Sequence, residues 1–157
     1  MPAKGKDLHL YLKNCASKRL INIYGSSLDY LRLEQPTGFD DANGKNYFKT
    51  TTSMGTGLYD DLKAENLNFP DIFVQVSLSE EEQKINAKKD MQFTKKFIIV
   101  ECETQKTPWL TDINNSRNIS YRFIKTKRKD TVFILVIFND MNIKTDLFHR
   151  IWRFKHP

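Results

Sequence analysis

The strongest constraint on the fold is a short stretch in which a fully apolar strand runs into charged residues. Residues Phe97 to Val100 are all apolar, Glu101 and Glu103 follow at once, and Lys106 lies three residues further on. An uninterrupted apolar run of this kind is typical of a central strand that is covered on both faces. Because charges at the end of a buried strand are costly unless they are paired or bind a cation, the stretch predicts a functional site.

Composition and charge set the class of protein. The chain has 157 residues, of which 39% are hydrophobic and 28% are charged, so it is long enough to bury one core and too apolar to be disordered. No apolar run approaches the roughly 18 residues that span a membrane, and the N-terminus lacks the apolar core of a signal peptide. We therefore expect one cytoplasmic domain over residues 1–157 without a membrane partner, with a flexible end at residues 1–7.

Hydrophobic periodicity predicts alternating helices and strands. The N-terminal helix extends from Leu8 to about Leu33, with a break expected at Gly25, although the alternating residues 8–12 also fit a strand. The remaining predictions are strands at residues 46–53, 71–78 and 96–103, a charged loop or short helix at 79–95, a helix from 108 to about 125, a strand at 131–138 and a C-terminal helical extension at 139–157. Three consecutive strands followed by a helical crossover predict an α/β fold with a mixed central β-sheet flanked by helices.

Two carboxylates are expected to meet across neighbouring strands. Asp71 opens, directly after a proline, the strand that precedes the apolar run. If the two strands pair antiparallel around a loop centred near residue 86, Asp71 lies opposite Glu101, and Glu103 shares that face because side chains alternate along a strand. Clustered carboxylates repel each other, and a hard divalent cation such as Mg²⁺ removes that penalty. The pattern indicates a metal site that activates water against a phosphodiester, with Lys106 nearby to orient the water or stabilise charge.

This arrangement resembles the PD-(D/E)xK nuclease superfamily, whose members share the restriction-endonuclease-like fold. Asp71, with the proline before it, matches the first half of the motif, and Glu101 matches the acidic residue of the second half. The predicted element order matches the αβββαβ core of the family over roughly residues 8–138. The resemblance implies a metal-dependent endonuclease that uses Mg²⁺ or Mn²⁺ to hydrolyse DNA. It also implies that Asp71, Glu101 and Glu103 are metal ligands and that these three and Lys106 are the catalytic residues.

The sequence departs from the family pattern at Glu103, which stands where lysine is usual. The run Glu-Cys-Glu-Thr is similar to a variant found in some small nuclease-like proteins, and other members carry the lysine on a neighbouring element. A second interpretation is therefore a non-catalytic module with a decayed site that binds nucleic acid or protein. Glu103 could instead pair with Lys106 or Arg122, Asp71 could cap a turn, and Glu34 could either add a metal contact or be an exposed helix-end carboxylate.

Basic residues after the motif are candidates for nucleic-acid contact. The net charge of +6 permits binding to a polyanion, and the resemblance places the helix that follows the motif beside the nucleic-acid cleft. DNA is the expected partner, RNA is an alternative, and a homodimer is also expected because many proteins of this fold dimerise to cut two strands. The other interpretations are a basic helix end that favours the helix dipole, and a structural protein with no nucleic-acid role. The candidates are Arg117, Arg122, Lys125, Lys127 and Arg128. No partner pattern gives His9, His149 or His156 a catalytic role.

Overall fold

The computed structural model of the protein describes residues 5–33, 61–62, 64–67, 70–89 and 93–157. Helices α1 (Gly5–Tyr24), α2 (Glu80–Ala87), α3 (Pro108–Thr111) and α4 (Ser116–Lys127) lie within these ranges, with a 3₁₀ turn at Gly25–Ser27. The strands are β1 (Leu28–Leu33), β2 (Ile72–Ser77), β3 (Lys95–Cys102), β4 (Thr131–Phe138) and β5 (Arg150–Phe154). None of the described helices is long and apolar enough to span a bilayer.

The strands form one sheet in which β1 to β5 lie side by side in chain order. β1, β2 and β3 pair antiparallel, whereas β4 runs parallel to β3 and β5 runs parallel to β4. The parallel step from β3 to β4 needs a crossover, which α3 and α4 supply. The predicted class, an α/β fold with a mixed sheet flanked by helices, is confirmed.

The sheet separates two apolar cores, as the uninterrupted apolar sequence of β3 and β4 requires. On one face, α1 packs through Leu12, Ala16 and Leu20, all without exposed surface. On the other face, Tyr121 and Ile124 of α4 join Trp109 of α3 in the second core. Because both faces of β3 are covered, its side chains can contact groups outside the two cores only near the end of the strand.

The predicted N-terminal helix is too long, because its last residues form a strand. The helix ends at Tyr24, where Gly25 takes a positive φ of 49° that favours glycine, and residues 28–33 then pair with β2 as β1. A bulge between Leu28 and Tyr30 shifts the side-chain alternation, so Leu28 and Leu31 face the same core although they are three residues apart. That spacing imitates a helix, which explains the error. The alternative strand at 8–12 is also wrong, since these residues are helical.

The predicted C-terminal helix within 139–157 is wrong as well. Arg150–Phe154 forms β5, which covers the edge of β4 and satisfies backbone groups that would otherwise be exposed there. Trp152 and Phe154 pack on the α1 side of the sheet, where the guanidinium of Arg19 stacks on both rings at 5.2 and 4.2 Å from their centroids. Tertiary pairing has overridden the helical spacing of Leu147, Ile151 and Phe154.

Other boundaries agree more closely with the sequence. β4 matches the predicted bounds, and β2 and β3 differ from theirs by one residue at each end. The charged segment before β3 contains α2, which begins with a capping box formed by Ser79 and Glu82. The single helix predicted from 108 is divided into α3 and α4, and Asn115 caps α4. The strand predicted at 46–53 and Glu34 lie outside the described residues.

We expect the packing of α1 to contribute strongly to stability. Leu12→Ala removes a fully buried side chain and should lower the free energy of unfolding by about 2–5 kcal/mol. Leu10→Ala is a matched control on the same helix, because Leu10 is 38% exposed, and its effect should stay within about 0.5 kcal/mol. Urea unfolding followed by circular dichroism measures both. Equal losses in the two variants would contradict this packing face.

Candidate active site

The site is created by the register of β2 and β3. Ile72 lies opposite Val100, so the next residues outward, Asp71 and Glu101, face each other at the end of the sheet. This is the pairing predicted around residue 86, and it is confirmed. Asp71 is 6% exposed and Glu101 is 4% exposed, so the structure buries two carboxyl groups side by side. Both cannot be ionised without a large cost, because like charges repel strongly in a poorly hydrated site.

Asp71 is the ionised member of this pair. Its Oδ2 accepts a 2.7 Å hydrogen bond from the backbone amide of Cys102 and lies 3.4 Å from Nε2 of His9 on α1. Burial alone would raise the pKa of Asp71, but the hydrogen bonds from His9 and Cys102 outweigh it and hold that pKa below its ordinary value. The same contact raises the pKa of His9 against the effect of its partial burial. Since Asp71 bonds to a neighbouring strand, it is not a turn cap.

Glu101 is the member of the pair whose charged form is disfavoured. Burial, and next the negative charge of Asp71, raise the pKa of Glu101 well above its ordinary value. The Tyr121 hydroxyl donates a hydrogen bond to Oε1 of Glu101, and Arg117 lies 3.5 Å from Oε2. The opposite pKa directions of Asp71 and Glu101 favour one charge and one proton on the pair. This is the arrangement by which two acids at one site avoid direct repulsion.

Glu103 is the first residue beyond the end of β3, and it bonds to α3. Its Oε1 accepts a 3.1 Å hydrogen bond from the Trp109 indole, and burial raises its pKa. Among the described ranges, no three Asp, Glu, His or Cys side chains converge as a metal site would require. The convergence of Asp71, Glu101 and Glu103 on one cation therefore stays a prediction, and in the structure the Trp109 indole is the hydrogen-bond partner of Glu103. The alternative pairing of Glu103 with Lys106 or Arg122 is not observed either.

Arg117 is the basic residue that the structure brings to the site. Its guanidinium stacks 3.9 Å above the Trp109 ring while it approaches Glu101, and its side chain is 42% exposed. The Trp109 ring therefore holds a cation at the solvent-exposed side of the site, which we call the mouth and which is formed here by Arg117 and Trp109. Lys106 is exposed and forms no hydrogen bond or ion pair with any described residue, so the structure assigns it no contact at the site.

The other basic candidates lie further along α4 and are engaged with acidic partners. Arg122 pairs with Asp146, and the Lys125 ammonium donates to the backbone carbonyl of that residue. Lys127 and Arg128 both pair with Asp61. Arg122 and Lys125 border a polar cavity of about 410 Å³ that also includes His149. Because it is lined by the start of β4, this cavity lies at the opposite end of the sheet from the acidic pair.

Sequence reasoning missed the contributions of the flanking helices. His9 was given no role, yet it contacts Asp71, and Tyr121 and Trp109 hold the two glutamates. A signal was present on α1, where His9, Lys13 and Ser17 recur every four residues beside the core positions. Polar residues at that spacing indicate a polar stripe along a buried helix. Which group the stripe would reach depends on how α1 packs, and periodicity does not specify that.

Replacing Glu101 should show how its raised pKa makes the stability of the protein depend on pH. A group whose folded pKa is raised favours the folded state at low pH and loses that contribution as pH rises through its folded pKa. Glu101→Gln keeps a neutral side chain at every pH, with an oxygen to accept from Tyr121 and an amide to donate to Asp71. Its melting temperature should match the wild type in acid and exceed it by at least about 2 °C at high pH, with each kcal/mol giving about 2–4 °C.

The measurement is differential scanning fluorimetry as a function of pH in metal-free buffer. Glu81→Gln, at an exposed position on α2, is the control and should show no pH-dependent difference. A Glu101→Gln protein that becomes less stable than the wild type as pH rises would show that Glu101 is ionised and stabilising.

Comparison of the chain with protein-family models, with curated proteins and with solved structures gives no match. Function must therefore be argued from the chemistry of the side chains that the fold brings together.

Proposed function

We propose that the protein is a divalent-metal-dependent nuclease that hydrolyses phosphodiester bonds in DNA. The observation that carries the proposal is the pairing of β2 with β3, which sets Asp71 and Glu101 side by side at the end of a buried sheet. The order of a helix, three antiparallel strands, a helical crossover and a parallel strand supports the restriction-endonuclease-like core that the sequence resemblance implies.

The two carboxylates suit a small hard cation. Mg²⁺ is typically held by one or two carboxylates, with water and substrate phosphate completing its coordination, so Asp71 and Glu101 are sufficient protein ligands without Glu103. The opposite pKa directions of the two groups also favour a cation here. A bound cation would offset the repulsion between the carboxylates and so take over the role of the proton that Glu101 favours. When bound, Mg²⁺ or Mn²⁺ would supply a polarised phosphodiester and a more acidic water.

The remaining side chains of the site match the needs of hydrolysis. The attacking water forms a new P–O bond and loses a proton, while the leaving oxygen gains a proton as the old P–O bond breaks. Glu103 is half-buried and has a raised pKa, so it is suited to accept the proton from water. Arg117, fixed on Trp109 at the mouth, is placed to bind a non-bridging phosphate oxygen.

A non-catalytic binding module is the second candidate. It is favoured by the observation that each carboxylate already has a partner within the protein: His9 for Asp71, Tyr121 and Arg117 for Glu101, and Trp109 for Glu103. Under that function, Mg²⁺ and Mn²⁺ would cause no thermal shift and no cleavage, yet DNA binding that weakens steeply with salt would persist. Failure to bind DNA or RNA at low salt would instead favour a purely structural protein.

Removing either carboxylate should abolish cleavage. We expect the wild type to cut plasmid or branched DNA with Mg²⁺ or Mn²⁺, and Asp71→Asn and Glu101→Gln to lose about 10²-fold or more of that activity. Both substitutions keep the hydrogen-bonding shape of the side chain, so loss of activity without loss of melting temperature separates chemistry from folding. Glu81→Gln is the matched control on α2. Equal activity in all four proteins would refute the assignment.

Cation binding should release a proton from Glu101. Because the raised pKa of Glu101 favours its protonated form, cation binding should require ionisation, and affinity should rise as pH increases through that pKa. Titration calorimetry with Mn²⁺ in two buffers of different ionisation enthalpy measures the number of protons released. We expect close to one proton below that pKa and fewer above it. A binding heat that does not depend on the buffer would place the cation elsewhere.

A further inference from the structure

The most unusual charged residue in the described ranges is Lys13 on α1. It is only 5% exposed, and it forms no hydrogen bond or ion pair with any residue that the structure describes. The stem of Lys13 is therefore buried, while its ammonium, which is not among the fully buried side-chain atoms that lack a partner, keeps contact with solvent and can meet an incoming ion.

Lys13 lies about one helical turn after His9 on α1, and its charge acts on His9 and Cys102, which are both in contact with Asp71. Helix side chains lean toward the helix N-terminus, which on α1 is the end where His9 meets Asp71. The Asp71 hydrogen bond raises the pKa of His9 and burial raises that of Cys102, and in both cases the charge of Lys13 acts in the opposite direction. Ser17 lies one helical turn after Lys13, and its buried hydroxyl has no hydrogen-bond partner among the described residues. The Lys13 ammonium therefore does not bond to Ser17.

The anions of the site have their own partners. Asp71 is matched by His9 and the Cys102 amide, Glu101 by Tyr121 and Arg117, and Glu103 by the Trp109 indole. Lys13 is therefore left as a positive charge next to the site whose counter-ion must come from outside the described chain. An incoming phosphodiester supplies such an anion, and its negative charge becomes more concentrated during hydrolysis.

We propose that Lys13 binds the substrate phosphate as a second cationic group of the site beside Arg117, in the role that the sequence suggests for Lys106. This inference rests on the proposed nuclease function and extends it to the substrate contact. The long lysine stem allows the ammonium to extend past His9, whose side chain is 35% exposed at the mouth. Lys106 is exposed and makes no contact there.

Three variants test the role. Lys13→Met keeps an unbranched apolar stem and should fold with a melting temperature close to that of the wild type, because the buried part of the side chain is preserved. Its single-turnover cleavage rate with Mn²⁺ should fall by about 10²-fold, whereas Lys106→Ala should stay within about threefold of the wild type. Lys13→Ala leaves room for a small amine, so ethylammonium chloride should restore activity and tetramethylammonium chloride at equal ionic strength should not.

A second measurement does not depend on cleavage. Inorganic phosphate in the presence of Ca²⁺ should bind the wild type, detected as broadening of the ³¹P resonance, and should bind Lys13→Met at least about tenfold more weakly. Wild-type cleavage rates in Lys13→Met would overturn the Lys13 role and leave the nuclease function standing. No cleavage by the wild type, with phosphate binding that depends on Lys13, would overturn the nuclease and support the anion site. Neither cleavage nor phosphate binding would overturn both.

Discussion

The burial of Asp71 and Glu101 side by side is the constraint on which the rest of the site depends. The register of β2 and β3 forces the two carboxyl groups together, and the burial of both prevents water from screening them. The Cys102 amide and His9 favour the charged form of Asp71, and the buried charge of Asp71 then disfavours a second charge on Glu101. The neighbouring helices then supply the donors and cations that this asymmetric pair needs.

The site lies where the two layers of the fold can reach the same groups. Along its length the sheet keeps α1 apart from α3 and α4, since β3 and β4 are covered on both faces by separate cores. The separation between the two helical layers ends near the last residues of β3. There His9 arrives from one layer, and Arg117 and Tyr121 arrive from the other, at carboxyl groups that are direct neighbours. A chain built on this topology can therefore combine the chemistry of two helices at one strand end.

The parts predicted correctly are those encoded by local sequence. The apolar run of 131–138 gives β4 its bounds, and alternation along two strands gives the pairing of Asp71 with Glu101. Residues 28–33 and 150–154 were taken for helix because a bulge and a chance spacing imitate helical periodicity, and their strand character comes from pairing with distant residues. The contacts of His9 and Glu103 were missed for the same reason. They depend on the direction in which α1 packs and on the position of the Trp109 ring, which no local pattern records.

Stability alone does not explain why the chain buries these groups. Apolar side chains of similar size at the ends of β2 and β3 would avoid the desolvation of two carboxyl groups. Within the described residues, the cost falls at one place, where Asp71, Glu101 and Lys13 lie at the same end of the sheet. Arg117 contacts both Glu101 and the Trp109 ring, so the stacking contact would hold the guanidinium in place even without the contact to Glu101. This concentration of charged groups at one end of the sheet supports the proposed function, in which a cation would lie between the carboxylates and the substrate phosphate on Lys13.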